Sequence, residues 1–207
     1  MAAAIFTRLI VTAPSEKIAD VYILQLESLK SQLPCLQGCV VYCVHDPSGF
    51  RVGSGGGTLN AIDCLLHNEK INLKTERVLI IHSGGDSRRA PLYSLCGKAW
   101  TTVNSIIGSS LVANPLALLI NELSDFCMYL PYCSLVVASS DVMLDISHLH
   151  SGPHDFAMDA VSVVSVAEKP QIAKNHGVLV INIDDTSNTY ICSPASNYLQ
   201  VLKILFL

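Results

Sequence analysis

The sequence predicts an α/β domain: a mostly parallel sheet covered by helices on both faces. Three observations carry that expectation. Short, near-continuous apolar runs such as RLIVTA at 8–13 and RVLIIH at 77–82 have the character of strands buried on both sides. Longer segments with apolar residues at helical spacing separate them. Strand-like and helix-like segments alternate along the chain, which is the pattern of parallel βαβ units.

Taken in order, RLIVTA is followed by PSEKIADVYILQLESLKSQL at 14–33, whose apolar spacing is helical. GCVVYCV at 38–44 reads as the second strand, and HDPSGFRVGSGGG at 45–57 as a loop. TLNAIDCLLHN at 58–68 gathers Leu59, Ile62, Leu65 and Leu66 on one helical face. RVLIIH is the strongest strand, and SGGDSRRAPLYSLCGK at 83–98 is a second polar loop. NPLALLINELSDFCMYL at 114–130 is a helix leading into the strand CSLVVASSD at 133–141. DAVSVVSVAE at 159–168 and HGVLVINID at 176–184 complete the strands. In sheets of this kind ligands bind beyond the carboxyl ends of the strands. The loops after the second strand, after RVLIIH and after CSLVVASS are therefore the informative ones.

Composition narrows the function classes. In 207 residues, half are hydrophobic and 14 % are charged, so the chain can build a core that buries roughly 70 % of its unfolded surface. The net charge of −4 lacks the basic footprint of a nucleic-acid binder. No apolar stretch approaches the roughly 18 residues needed to span a bilayer, and the N-terminus lacks the pattern of a signal peptide. The eight cysteines, Cys35, Cys39, Cys43, Cys64, Cys96, Cys127, Cys133 and Cys192, form no C-x-x-C pair and read as reduced thiols of a cytoplasmic protein. Zinc spacing is absent.

The first polar loop brings Gly53, Ser54, Gly55, Gly56 and Gly57 to Thr58 and a helix. Backbone N–H groups without an intervening Cβ, at a helix N-terminus, can hold phosphate. A structural turn satisfies the same residues, and by themselves they do not choose. A Walker A loop needs Gly-Lys-Ser/Thr, yet Gly97-Lys98 is followed by Ala99; a dinucleotide fingerprint needs glycine where Thr58 stands. The second loop sets Arg88, Arg89 and Lys98 beside Gly84 and Gly85, cations suited to phosphate oxygens. In the third, Asp141 suits either a magnesium ion shared with phosphates or a helix N-cap, with Asp145 able to support both. His148, His150 and His154 are expected to be exposed loop histidines, and Asn175 with His176 to be turn-formers or substrate donors.

Four stretches, DPSGFRVGSGGGTLNAI, HSGGDSRRAPLYSLCGK, SSDVML and NHGVLV, together resemble the pyrophosphorylase-type region of the L-fucokinase/GDP-L-fucose pyrophosphorylase family, from about Cys39 to Ile183. The resemblance implies a Rossmann-like nucleotidyltransferase fold and the reaction of GTP with L-fucose 1-phosphate to give GDP-L-fucose and diphosphate. It implies that Gly53 to Thr58, with Gly84 and Gly85, hold the nucleotide, and that Lys98, Arg88 and Arg89 are catalytic. It also implies that Asp141 holds Mg2+ and that Asn175, His176 and Gly177 face the sugar.

Members of that family are several times longer, and the fucokinases carry a kinase domain of the GHMP type whose glycine-rich loop does not occur here. The expectation is a truncated relative without kinase activity: residues 1–184 form the nucleotidyltransferase-like domain, and 185–207 form a divergent apolar tail that would favour self-association. An inactive fragment serving as a binding module is the alternative. A dinucleotide-dependent oxidoreductase is disfavoured by Thr58 and the arginine pair.

Overall fold

A computed structural model of the chain describes residues 5–47, 50–83, 97–103, 106–107, 111–130, 133–144, 162–167, 171 and 199–206. The strands are β1 (Arg8–Ala13), β2 (Val40–His45), β3 (Arg77–His82), β4 (Ile106–Ile107), β5 (Leu111–Val112), β6 (Ser134–Ser139), β7 (Ser162–Ala167) and β8 (Leu199–Phe206). The α-helices are α1 (Glu16–Gln32), α2 (Gly53–Asp63) and α3 (Pro115–Phe126).

Six strands form one sheet in the order β2-β1-β3-β6-β8-β7, with β2, β1, β3 and β6 parallel to one another. β8 runs antiparallel to both β6 and β7. Helices do cover both faces, and the alternation of side chains along the strands explains how. Leu9, Val11, Leu79, Ile81, Val136 and Ala138 point to the face where α1 and α3 pack. Ile10, Val78, Ile80 and Val137 point to the opposite face, where Ala61 and Leu65 of the α2 segment close the second core. The central strands β1, β3 and β6 are apolar on consecutive residues because each lies between two helical layers.

The helices follow from local chemistry. α1 begins after Ser15 with Glu16 in its first turn, and buries Ala19, Tyr22, Leu26 and Leu29 at intervals of three and four. α3 is capped by Asn114, whose side chain accepts from the Ala117 N–H at 2.8 Å, and has Pro115 at its first position. It is buried nearly all round, through Leu116, Leu119, Ile120, Leu123 and Phe126. At roughly 1.5–3 kcal/mol for each fully buried large apolar side chain, this helix anchors its layer.

Two features were not legible in the sequence. β4 and β5 form a two-residue antiparallel pair, too short for any periodicity to register. The terminal apolar run, read above as a tail, contributes β8, whose backbone is paired to β6 on one side and to β7 on the other. The strand expected at 176–184 lies outside the described residues.

Connection order sets the functional edge. From β1 the chain passes by α1 to β2 on one side, then returns by α2 to β3 on the other side of β1. The reversal leaves a crevice between the carboxyl ends of β1 and β3, where open α/β sheets bind ligands. Among the described residues, no helix is long and apolar enough to cross a membrane.

Two tests follow from the packing. Burial pushes the thiols of Cys39 and Cys43 from 9.0 up to about 12. A thiol raised in this way keeps its proton while the unfolded chain loses its own. Stability is therefore full below pH 9.0 and declines as pH rises toward about 12. Urea midpoints measured through the alkaline range should fall, and Cys39→Ala should make the fall shallower. Truncation after residue 198 removes the partner of β7, so amides of Val163 to Val166 should lose hydrogen-exchange protection while those of β1 and β3 keep theirs.

Candidate functional site

The register of the parallel strands creates one row of polar side chains. Thr12 of β1 is level with His82 of β3, and His82 is level with Ser139 of β6. All three share the face that α2 covers, one step beyond the apolar Ile10, Ile80 and Val137. Polar groups replace apolar ones where the sheet ends and the crevice begins.

α2 lies across this row. Its glycines do not form a loop, as the sequence suggested; the helix already starts at Gly53. Glycine costs a helix about 0.5–1 kcal/mol relative to alanine, so tertiary contacts must compensate for the sequence preference. At two positions the surroundings leave little room for a Cβ. Gly57 is buried, and a Cβ there would stand 3.3 Å from His82 Cε1 and 3.8 Å from Thr12 Cγ2. At Gly56 a Cβ would meet Val52 Cβ at 2.6 Å, a distance real atoms do not tolerate. Gly55 is different: it is exposed, and a Cβ there would have nothing within 4 Å. Its glycine is not explained by packing within the described residues.

Thr58 closes the first turns. Its hydroxyl donates to the Ser54 carbonyl at 3.0 Å and lies 2.9 Å from His82 Nε2. His82 Nδ1 lies 3.3 Å from Thr12 Oγ1, which also receives the Ser83 N–H at 3.4 Å. Asn60 donates to the His45 carbonyl at 2.9 Å and so fastens α2 to the end of β2. The helix N-terminus, with its free N–H groups and favourable dipole, is thereby fixed above the crevice.

The second half of the site is the pair Lys98 and Asp141. Lys98 Nζ is 3.8 Å from one carboxylate oxygen of Asp141, and the other oxygen receives the Ser139 hydroxyl. Lys98 emerges from a braced segment. Gly97 has φ of +75°, a region glycine adopts freely, and a Cβ there would lie 2.5 Å from Tyr22 Oη. Ala99 is buried, and Trp100 packs on Tyr22 with ring centroids 5.5 Å apart. The two halves are joined through the main chain, because the Ser140 N–H donates to the His82 carbonyl at 2.9 Å.

Of the residues expected from sequence, the structure thus gathers Gly53 to Thr58, Lys98 and Asp141 at neighbouring strand ends. Asp141 acts as partner to Lys98 and Ser139. Gly84, Gly85, Arg88, Arg89, Asp145, His148, His150, His154, Asn175, His176 and Gly177 lie outside the described residues. Sequence reasoning passed over Thr12, His82, Tyr22 and Trp100. The available signal was that the most apolar strand, RVLIIH, ends on a histidine.

The glycines make a sharp prediction. Gly56→Ala should destabilise the fold by about 1–3 kcal/mol, since an overpacked first turn must shift. Gly55→Ala should instead be neutral or stabilising by up to about 1 kcal/mol, because alanine is the better helix former. Urea unfolding of the two variants checks both signs.

Comparison with known proteins agrees with the resemblance noted in the sequence. The family described as "Fucose pyrophosphorylase domain" matches residues 70–206, a span that runs from before β3 through β8. The bifunctional fucokinase/GDP-fucose pyrophosphorylase of Arabidopsis thaliana is 28 % identical over 93 % of this chain and 20 % of its own length. The fucose-1-phosphate guanylyltransferase of Mus musculus is 32 % identical over 85 % of this chain and 29 % of its own. That of Homo sapiens is 42 % identical over 45 % and 15 %. The chain therefore spans less than a third of the length of each of these relatives. No solved structure gives a significant match. The parallel β1-β2-β3-β6 core and the extent of the family match lead to one assignment: the chain belongs to the fucose pyrophosphorylase domain family.

Proposed function

We propose that the chain carries a nucleotide-binding region of a guanylyltransferase that joins GTP to L-fucose 1-phosphate, giving GDP-L-fucose and diphosphate. The relatives named above support the reaction class. The observation that carries the reading is Gly55: an exposed glycine in the first turn of α2, with nothing among the described residues within 4 Å of its missing Cβ, at the strand-end side of the sheet. Such a position has room for a phosphate against the backbone, and the dipole favours the charge.

In the reaction a phosphate oxygen of L-fucose 1-phosphate attacks the α-phosphorus of GTP in line. The new P–O bond replaces the bond to the bridging oxygen, and diphosphate leaves with that electron pair. No proton need move, so the protein's task is positioning and charge neutralisation. The first turn of α2 would bind the nucleotide phosphates through backbone N–H groups. Lys98 would turn from Asp141 to the triphosphate, and Arg88 and Arg89 would add to that charge.

Asp141 is suited to one share of a magnesium site. It is a single carboxylate, 35 % exposed, held in orientation by the Ser139 hydroxyl. Among the described residues no group of three or more His, Cys, Asp or Glu side chains could enclose an ion by itself. One oriented carboxylate suits a magnesium ion that also binds phosphate oxygens. When bound, the ion would neutralise charge on the phosphate oxygens. Asn175, His176 and Gly177 are the proposed contacts to the sugar. The free thiols of Cys35, Cys39, Cys43, Cys64, Cys127 and Cys133 suit a cytoplasmic setting.

Titration with GTP and magnesium tests the binding step, and diphosphate release on adding L-fucose 1-phosphate tests the chemistry. Lys98→Ala and Asp141→Asn should each lower the rate of release about a hundred-fold. The pair is more than a third exposed on both partners, so the cost to stability should stay within about 1 kcal/mol and a changed rate will not reflect unfolding. Gly55→Ala should keep its stability and lose GTP affinity. GTP binding without diphosphate release in any condition would reduce the assignment to a binding module.

A further inference from the structure

His82 occupies the centre of the row at the strand ends, and the directions of its hydrogen bonds can be derived. A carbonyl only accepts, so the single proton of the Thr58 hydroxyl is committed to the Ser54 carbonyl. Thr58 Oγ1 must then accept from His82, which places a proton on Nε2. In the neutral ring Nδ1 is left to accept, and the Thr12 hydroxyl is its donor, while Thr12 Oγ1 receives the Ser83 N–H. The imidazole is thereby wedged between β1 and α2. Its Cε1 edge faces the spot that a Cβ on Gly57 would fill, and its main-chain carbonyl takes the Ser140 N–H beside Asp141.

From this geometry we infer that His82 is a positioning residue for nucleotide binding. It sets the height and angle of the α2 N-terminus over the crevice, and it joins that helix to the strand end that presents Asp141. It touches no substrate; it acts through Thr58 and Gly57. The inference rests on the reading of the α2 N-terminus as the nucleotide cradle. A ring fits this role better than a flexible side chain, because its two nitrogens lie at fixed separation and reach Thr12 and Thr58 at once. Phenylalanine would fill the space without the acceptor and donor, and lysine would bring charge without shape.

The test combines a spectroscopic and a binding measurement on the full chain. Multiple-bond proton–nitrogen spectra of histidine-labelled protein should show the His82 proton on Nε2, with Thr58→Val altering that signal. In titrations with GTP and magnesium, His82→Phe and Thr58→Val should each weaken affinity by about ten-fold, the worth of one well-placed hydrogen bond. His82→Gln, whose amide can donate toward Thr58, should recover affinity to within about three-fold of wild type, on the same scale. Once turnover is measured, the loss should fall on KM for GTP more than on kcat. Should His82→Phe fail to fold, Thr58→Val supplies the same comparison at unchanged side-chain shape.

A proton found on Nδ1, or unchanged GTP affinity in both His82→Phe and Thr58→Val, overturns the inference. Equal losses in His82→Phe and His82→Gln also overturn it, since they would show that the ring acts as bulk. A wild-type chain that binds no GTP removes the cradle reading and the positioning role with it. In that case the Nε2 signal would still register the hydrogen-bond chain, so the two failures are distinguishable.

Discussion

The parallel register that sets Thr12 beside His82 is the constraint on which the site depends. A one-residue slip would turn His82 to the opposite face of the sheet, into the layer of α1 and α3. It would also bring Ile81 beneath α2 and leave Thr58 with no ring nitrogen to meet. The register is held by the two apolar layers, because Ile10, Val78, Ile80 and Val137 fit one core and Leu9, Val11, Leu79 and Ile81 the other. Core packing far from the crevice therefore decides where its polar groups stand.

The same constraint explains an apparent conflict between sequence and structure. Residues 53–57 are poor helix formers, yet they open α2. Gly57 permits the helix to approach His82 and Thr12, and Gly56 spares a collision with Val52. Gly53 and Gly55 have no packing reason among the described residues; Gly53 has a positive φ of +69°, which glycine adopts freely, and Gly55 is exposed. The glycine-rich stretch is thus a helix built to lie close to the sheet at its inner positions and to leave its outer surface bare.

Lys98 and Asp141 add a second principle. Each partly neutralises the other across 3.8 Å at a half-exposed position, so the pair contributes little to stability and can exchange partners at little cost. The rigid parts lie behind it: Gly97 against Tyr22, Trp100 on the Tyr22 ring, and Ser139 on the carboxylate. The result is a soft ion pair on firm supports.

The sequence by itself determined the fold class and the positions of the main elements, since the apolar runs at 8–13 and 77–82 coincide with β1 and β3, and strand–helix alternation dictates a parallel sheet. It also marked Gly53 to Thr58, Lys98 and Asp141, because glycine clusters and charges beside buried strands are conspicuous in one dimension. The partnership of Thr12, His82 and Thr58 was decided only by tertiary structure. These residues are separated by as many as 70 positions in the chain, and only strand register and the approach of α2 bring them within hydrogen-bond reach. The role of the terminal apolar run had the same origin: its composition permits a tail or a strand, and pairing with β6 and β7 selects the strand.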